Sequence, residues 1–266
     1  MARVNILDLQ RMKKDKQKIV MMTAYDFQMA RILDRVGPEM ILVGDSGANI
    51  LLGYEDVNAV TMDEMIVMIR SVSRGTRRAM VVGDMPFMSY QISKEQAVRN
   101  AGRIIAESAA QAVKVEVGAD YAPTVEAIVK AGIPVMGHMG LTPMATIGVG
   151  GFQAEGLKID EEQVWRDALA LQDAGVFSLL LTGIGADLAK RITQEMRVPT
   201  IAGFGGGDDC DGQVGVTHVV LGLNLEELDK PKAAYGPVVA SLFDAAREFS
   251  TDVRAGKPVR SKQDGK

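Results

Sequence analysis

The feature that most constrains this chain is a regular alternation of short apolar runs with longer amphipathic segments. The apolar runs lie near residues 18–25, 40–45, 79–84, 112–117, 133–138, 177–182, 199–203 and 217–222. Such alternation is typical of repeated βα units, which build a parallel sheet. About eight strands is the number that closes a (β/α)8 barrel. The sequence therefore predicts an α/β protein with the TIM barrel fold.

The segments between the runs have helical periodicity. Helices are predicted at 27–36, 62–74, 93–109, 122–131, 161–174 and 187–196, with one or two more in 233–249. Glycine follows several of them, as helix ends favour. With 266 residues, of which 47% are hydrophobic, the chain can bury a large core. We expect one barrel domain over residues 1–256 and a polar tail at 257–266.

Composition argues against several classes of partner. The net charge is −4 and the basic residues are dispersed, so we expect no nucleic acid. The N-terminal residues lack the apolar core of a signal peptide, and no run reaches roughly 18 apolar residues, so we expect no membrane and a cytoplasmic protein. Cys210 is the only cysteine, which excludes an intrachain disulfide and a cysteine cluster for zinc.

Three other features have a structural interpretation. Met62, Met65 and Met68 recur at helical spacing and are predicted to pack in the core. His218 lies inside the apolar run "VTHVV" and is predicted to be a core residue. The stretch "GFGGGDD" at 203–209 does not match a phosphate-binding loop motif, and close backbone packing is its favoured role.

Acidic residues stand at or just beyond the ends of three consecutive predicted strands. Asp45 follows "ILVG", Asp84 follows "MVVG", and Glu116 ends "VKVE". In a barrel these strand ends share one rim, where the chemistry is located. A single acid there can cap a helix, but three clustered carboxylates repel one another unless a cation neutralises them. Because hard oxygen ligands suit Mg²⁺, the sequence predicts a magnesium site.

Lys114 and His138 are predicted to lie at the same rim. Lys114 precedes Glu116 by two residues, so both side chains point to one face of the strand. It can bind an acid substrate or form an ion pair with Glu116 or Asp84, and the sequence leaves both open. His138 ends "IPVMGH" and is a better site candidate than His218.

Longer motifs give the chain a family resemblance. The segments that carry it are "MTAYDFQMA" (22–30), "LVGDS" (42–46), "VTMDEM" (60–65), "GDMPFMSY" (83–90), "VKVE" (113–116), "GIPVMGHMGLTP" (132–143), "GGFQAEG" (150–156), "DLAKRIT" (187–193) and "DGQVGV" (211–216). In this order, from about residue 5 to 250, the chain resembles the ketopantoate hydroxymethyltransferase family of the phosphoenolpyruvate mutase and isocitrate lyase superfamily.

The resemblance implies an activity and its cofactors. Members of the family are Mg²⁺-dependent cytoplasmic (β/α)8 barrels and commonly decamers. They transfer a hydroxymethyl unit from 5,10-methylenetetrahydrofolate to 3-methyl-2-oxobutanoate, a small 2-oxo acid, through a metal-stabilised enolate. The product, 2-dehydropantoate, leads to pantothenate.

The resemblance also implies roles for individual residues. Asp45 and Asp84 would bind Mg²⁺ directly, and Glu116 would bind it through water. Ser46 and Lys114 would bind the carboxylate of the 2-oxo acid. The metal held by Asp45 and Asp84 would also bind the 2-oxo acid.

The candidate catalytic residues are His138, Lys114 and Thr182. Thr182 stands where the family usually has a glutamate base, and a neutral hydroxyl cannot replace a carboxylate as a base. Gln153 and Leu157 also stand where the family tends to carry basic residues. The metal side of the site therefore matches the family, whereas the base and the folate side depart from it.

Three hypotheses follow. The protein is a ketopantoate hydroxymethyltransferase in which His138 or a metal-bound hydroxide serves as base. Alternatively, it is a paralogue that acts on another 2-oxo acid as an aldolase, C–C lyase or decarboxylase without folate. The third is a non-catalytic member of an oligomer, which the presence of all three acids disfavours.

Overall fold

A computed structural model describes residues 2–142, 159–233 and 235–257. The chain forms two compact units, Met1–Gly215 and Val216–Lys266. The expectation of one domain over residues 1–256 stays a prediction. The polar tail predicted at 257–266 lies, apart from residue 257, outside the described residues.

Unit Met1–Gly215 contains a closed parallel barrel of eight strands in sequence order, which confirms the TIM barrel prediction. The strands are β1 (Ile19–Thr23), β2 (Met40–Val43), β3 (Met80–Asp84), β4 (Ala112–Glu116), β5 (Val135–Gly140), β6 (Ser178–Thr182), β7 (Thr200–Ala202) and β8 (Gly212–Gly215). The barrel closes where β1 pairs with β8. All strand carboxyl ends therefore face one rim.

Helices surround the barrel and begin at residues that favour helix starts. In this unit they are α1 (Ile6–Lys14), α2 (Phe27–Val36), α3 (Gly47–Ile50), α4 (Met62–Gly75), α5 (Lys94–Ser108), α6 (Ala122–Lys130), α7 (Glu161–Asp173) and α8 (Ala186–Glu195). Thr61 and Glu64 form a capping box at the start of α4, and Ser93 caps α5. The six helices predicted between strands are all present.

Two apolar clusters fill the unit. The first lies between sheet and helices and contains Met65 and Met68, with Met62 packed against it, as the methionine spacing predicts. The second lies inside the barrel and alternates along the strands, for example at Met40 and Leu42 of β2. Along β3 and β4, for example, the residues that face the barrel interior are apolar within the barrel and polar at its rim.

The predicted eighth strand at 217–222 is wrong. β8 is Gly212–Gly215, and the apolar run begins a short helix, α9 (Thr217–Val220), in the second unit. A side chain at position 212 would lie 2.2 Å from the carbonyl oxygen of Ile19, so only glycine allows β8 to approach β1 this closely. His218 consequently lies half-buried in a helix and not within a core strand.

Two further helices lie outside the βα units of the barrel. In α1, which was not predicted, Leu9 enters the interior cluster of the barrel. In unit Val216–Lys266, α10 (Val238–Arg254) fulfils the C-terminal helix prediction as one helix. None of the helices described is long and apolar enough to span a membrane.

Candidate active site

The polar residues at the rim continue the inward-facing rows of the strands. On β4, Ala112 packs inside the barrel, and Lys114 and Glu116 follow on the same face. The same alternation places Asp84 at the end of β3 and His138 within β5. Adjacent parallel strands thus bring together side chains that are 22 to 30 residues apart in sequence.

Lys114 lies at the centre of this arrangement and is only 2% exposed. Its Nζ donates to Asp84 Oδ2 at 2.5 Å and to Glu116 Oε1 at 3.2 Å. The sequence left open whether Lys114 forms an ion pair with Glu116 or Asp84. In the structure it forms an ion pair with each of them.

His138 extends the hydrogen bonds to β6. Its Nδ1 lies 3.1 Å from Glu116 Oε1, and its Nε2 lies 2.8 Å from Thr182 Oγ1. Both ring nitrogens are therefore held, and Thr182 is in direct contact with the site. We call the five residues Asp84, Lys114, Glu116, His138 and Thr182 the rim network.

Asp45 and Ser46 follow β2 and lie beside the rim network. The backbone N–H of Asp45 donates to Asp84 Oδ2 at 3.0 Å. Asp45 Oδ1 accepts from the backbone N–H of Ser46 at 2.8 Å, and Ser46 Oγ lies 2.8 Å from Tyr25 Oη. All the site residues predicted from sequence are thus described, at the ends of β2 to β6.

Burial and the repulsion between neighbouring carboxylates raise the pKa values of Asp45 and Asp84. Burial raises the pKa of Asp84 to about 7 although Lys114 opposes the change, and burial also raises the pKa of Asp45. Burial works to lower the pKa of Lys114, but the surrounding carboxylates raise it overall, so Lys114 is charged. Burial lowers the pKa of His138 despite Glu116, which favours the neutral imidazole at pH 7.

The donor set fits a small divalent cation. Asp45 Oδ2 and Asp84 Oδ1 are buried and have no hydrogen-bond partner among the described residues. With all three carboxylates ionised, they and the one ammonium group would carry a charge of −2, which a bound divalent cation would neutralise. The described residues contain no ready cluster of three or more His, Cys, Asp or Glu ligands. Mg²⁺ commonly needs only one or two carboxylates, because water and substrate complete its shell.

Two tyrosines belong to the site and were not singled out from the sequence. Tyr90 Oη donates to the carbonyl oxygen of Glu116 at 3.0 Å and lies 3.2 Å from its backbone nitrogen. Tyr25 contacts Ser46, as described above. Both are almost fully buried and follow strand ends at the same rim, which is the sequence signal that could have indicated them.

Close backbone packing surrounds Thr182, as predicted for the glycine-rich segment after β7. A Cβ atom on Gly203 would lie 2.4 Å from Thr182 Oγ1, and one on Gly206 would lie 3.0 Å from the Ala202 side chain. The backbone at Gly203 therefore packs directly against the hydroxyl of Thr182. Gln153 and Leu157, which the resemblance associates with folate binding, lie outside the described residues.

Comparison with known proteins identifies the family of this chain. The sequence model of the family described as ketopantoate hydroxymethyltransferase matches residues 3–258. The chain belongs to the ketopantoate hydroxymethyltransferase family. It is thus an enzyme, and the resemblance predicted from its motifs is confirmed.

Two curated relatives illustrate the similarity within the ketopantoate hydroxymethyltransferase family. Both are named 3-methyl-2-oxobutanoate hydroxymethyltransferase. The Moorella thermoacetica protein is 48% identical over 257 residues, which cover 96% of this chain and 95% of the relative. The Pelobacter propionicus protein is 46% identical over 254 residues, which cover 96% and 94%.

Solved structures share the fold at low identity. A 2,3-dimethylmalate lyase of the PEP mutase/isocitrate lyase superfamily has a TM-score of 0.64 and 20% identity, covering 98% of this chain and 90% of that one. A phosphonopyruvate hydrolase in complex with oxalate and Mg²⁺ has a TM-score of 0.65 and 14% identity, covering 99% and 93%. The likeness confirms the (β/α)8 barrel fold.

Proposed function

We propose that the protein transfers a hydroxymethyl group from 5,10-methylenetetrahydrofolate to 3-methyl-2-oxobutanoate and forms 2-dehydropantoate, a step toward pantothenate. Membership of the family and the names of its relatives support the reaction. The observation that carries the proposal is the rim network, which joins two carboxylates, an ammonium group, an imidazole and a hydroxyl across four neighbouring strands.

Asp45 and Asp84 would hold Mg²⁺ directly, and Glu116 would hold it through water. The unpartnered buried oxygens of Asp45 and Asp84 support this assignment. When bound, Mg²⁺ supplies a Lewis acid that polarises the carbonyl group of the 2-oxo acid. The charged Lys114 and the hydroxyl of Ser46 would orient the substrate carboxylate beside it.

The proton of the substrate carbon would leave through Thr182. In the neutral tautomer that donates from Nδ1 to Glu116, His138 Nε2 accepts the proton of Thr182 Oγ1, while Thr182 Oγ1 accepts the proton from carbon. The substrate carbon would then bond to the methylene carbon as both bonds from that carbon to the folate nitrogens break, and water would supply the hydroxyl oxygen. The two nitrogens would take one proton from this water and one from His138, so that tetrahydrofolate leaves. This assigns base function to the pair His138 and Thr182 in place of a glutamate.

Thr182 also favours a second candidate function. With a hydroxyl at the end of β6, the protein would act on another 2-oxo acid as an aldolase, C–C lyase or decarboxylase without folate. These reactions break a carbon–carbon bond and need no strong carboxylate base to start. Asp45, Asp84 and Lys114 would serve both reactions in the same way.

Proton exchange separates the two functions. The purified protein is incubated in D₂O with Mg²⁺ and 3-methyl-2-oxobutanoate, and NMR follows exchange at the carbon beside the keto group, with and without EDTA. We expect Mg²⁺-dependent exchange, and then formation of 2-dehydropantoate when 5,10-methylenetetrahydrofolate is added. A folded protein that binds Mg²⁺ but exchanges nothing contradicts the transferase and directs attention to the second function.

We also propose that the protein is cytoplasmic and assembles as a homo-oligomer, a decamer by family resemblance. The lone cysteine, a buried free thiol, is consistent with a reducing compartment. Light scattering after size-exclusion chromatography gives the subunit number, and a mass of one subunit contradicts the assembly.

A further inference from the structure

A second cluster of charge lies on the outside of the barrel and shares no residue with the rim network. A cavity of about 370 Å³ is lined by Phe27, Arg31, Asp34, Arg35, Arg74 and Arg77, from α2, the end of α4 and the loop before β3. We propose that this arginine cavity binds a small ligand with a di- or triphosphate group. The inference is independent of hydroxymethyl transfer.

The arginines of the cavity lack protein partners. Within the described residues, the guanidinium groups of Arg31, Arg35, Arg74 and Arg77 make no ion pair or hydrogen bond, and Arg31 lies over the ring of Phe27 at 5.6 Å from its centroid. Elsewhere on the surface the chain does pair such groups. In α5, for example, Arg103 contacts two carboxylates at 2.7 and 2.8 Å. The arginine cavity is thus a concentration of uncompensated positive charge.

Asp34, the acidic residue of the cavity, accepts hydrogen bonds from backbone N–H groups. The carboxylate of Asp34 accepts the backbone N–H groups of Arg77 at 2.9 Å, Arg78 at 2.9 Å and Ala79 at 2.8 Å. Burial works to raise the pKa of Asp34, but these N–H groups lower it overall. Asp34 therefore fixes the loop before β3 against α2 and leaves the arginines unpaired.

The neighbouring Arg78 shows what a structural arginine does here. Its Nη1 donates to the carbonyl oxygens of Gly37 at 2.7 Å and Pro38 at 2.8 Å, and its Nη2 contacts Glu39 at 3.1 Å. Arg77, one residue before it, makes no such contact with its guanidinium group in the described part of the chain. Arg78 holds the loop, so Arg77 is not needed for that purpose.

The charge of the cavity matches several phosphoryl groups better than one. Four guanidinium groups and one carboxylate give a charge of +3 in a chain whose net charge is −4. Guanidinium groups bind phosphate oxygens in pairs of parallel hydrogen bonds, and four of them can engage two or three phosphoryl groups together. Inorganic polyphosphate and a nucleoside triphosphate share this chemistry. The ring of Phe27, which is 40% exposed, would distinguish them by stacking on a base.

Calorimetry in metal-free buffer of about 0.15 M ionic strength, where the Debye length is about 8 Å, tests the site with sodium tripolyphosphate and ATP as probes. We expect both to bind the wild-type protein, and Arg31→Gln and Arg74→Gln each to weaken binding roughly tenfold. The matched control is Arg99→Gln, an exposed arginine of α5, which should change the affinity less than about twofold because charges so exposed act weakly at a distance. Circular dichroism verifies that each variant is folded.

Each result decides the proposal. No binding of either probe to the wild-type protein overturns it, and so does equal weakening by Arg99→Gln and Arg31→Gln. Equal affinity for the two probes, with loss in the cavity variants, supports a site for the polyphosphate group alone. Tighter binding of ATP that Phe27→Leu reduces to the affinity of tripolyphosphate supports a nucleotide site.

Discussion

The rim of the barrel has an acidic side and a neutral side. At the ends of β2, β3 and β4 stand Asp45, Asp84 and Glu116, with the ammonium group of Lys114 between two of them. At the end of β6 stands Thr182, against which the backbone at Gly203 packs closely. The acidic side keeps unpartnered oxygens, whereas the Thr182 hydroxyl is already hydrogen bonded to His138.

The difference separates two tasks of one reaction. Polarising a 2-oxo acid requires uncompensated negative charge that a cation can neutralise, and the acidic side retains it. Removing a proton requires an acceptor of suitable pKa, which the neutral side provides only through a neighbouring strand. The following variants test this division, from the largest expected effect to the smallest.

Removal of the buried ammonium group should have the largest effect. Lys114→Met leaves the carboxylates of the acidic side uncompensated, and we expect the free energy of unfolding to fall by about 3–5 kcal/mol in EDTA. Mg²⁺ should restore part of that loss, because it neutralises the same carboxylates. Urea unfolding in EDTA and in Mg²⁺ measures both effects.

The matched control for this variant is Lys130→Met. The side chain of Lys130 is 71% exposed, and among the residues described it pairs with Glu126 alone, on the surface of α6. We expect its loss to cost less than about 0.5 kcal/mol. Equal stability of the Lys114→Met variant and the wild-type protein in EDTA would contradict the charged state of the acidic side.

Asp45→Asn should weaken Mg²⁺ binding without unfolding the protein. The amide oxygen can still accept the N–H of Ser46, but the carboxylate charge is lost, so we expect the affinity for Mg²⁺ to fall at least about 100-fold. Calorimetric titration with Mg²⁺ measures it. In the control, Asp26→Asn, the new residue still caps α2 and the affinity should not change. Unchanged affinity in both variants removes Asp45 from the metal site.

Two substitutions of Thr182 test the neutral side. Thr182→Val keeps the shape but removes the hydroxyl bonded to His138, so we expect deuterium exchange of 3-methyl-2-oxobutanoate to slow about 100-fold or more, while Mg²⁺ affinity is retained. Thr182→Ser restores the hydroxyl and should remain within about tenfold of the wild-type rate. A valine variant that exchanges at the wild-type rate would show that the proton leaves by another route.

Asp34 is a carboxylate for comparison, because both of its oxygens accept hydrogen bonds from backbone N–H groups. Its pKa lies below the ordinary value of 3.8, so its stabilising effect is present at neutral pH and is lost as the pH falls through the lowered pKa. We expect Asp34→Asn to lower the free energy of unfolding by about 1 kcal/mol at pH 7. Urea unfolding from pH 7 to pH 3 should show this difference shrinking, and a difference that grows on acidification contradicts it.

Much of the fold could be predicted because seven strands are short apolar runs and the helices between them are amphipathic. The eighth could not, because β8 contains two glycines and is placed by backbone pairing with β1 and β7, not by an apolar pattern. The run that resembled it forms α9. Helix α1 did carry a signal, since Asn5 and Asp8 form a capping box.

The identity of most residues of the candidate site could be predicted from the sequence, but most contacts between them could not. Strand ends indicated the acids, Lys114 and His138, because period-two alternation fixes which side chains face the barrel interior. The bond between His138 and Thr182 joins residues 44 positions apart, and the contact of Tyr90 with Glu116 joins residues 26 apart. Such contacts depend on strand register, which the pattern of one strand does not define.

The close approach of Gly203 to Thr182 has a consequence for how this enzyme can be altered. A side chain at position 203 collides with the hydroxyl at 182, and a longer residue at 182 must extend into the space that glycine leaves open. Fitness effects at these two positions are thus expected to be epistatic. A library that varies position 203 alone would sample mostly collisions with Thr182, whereas joint variation allows a smaller residue at 182 to accompany a larger one at 203.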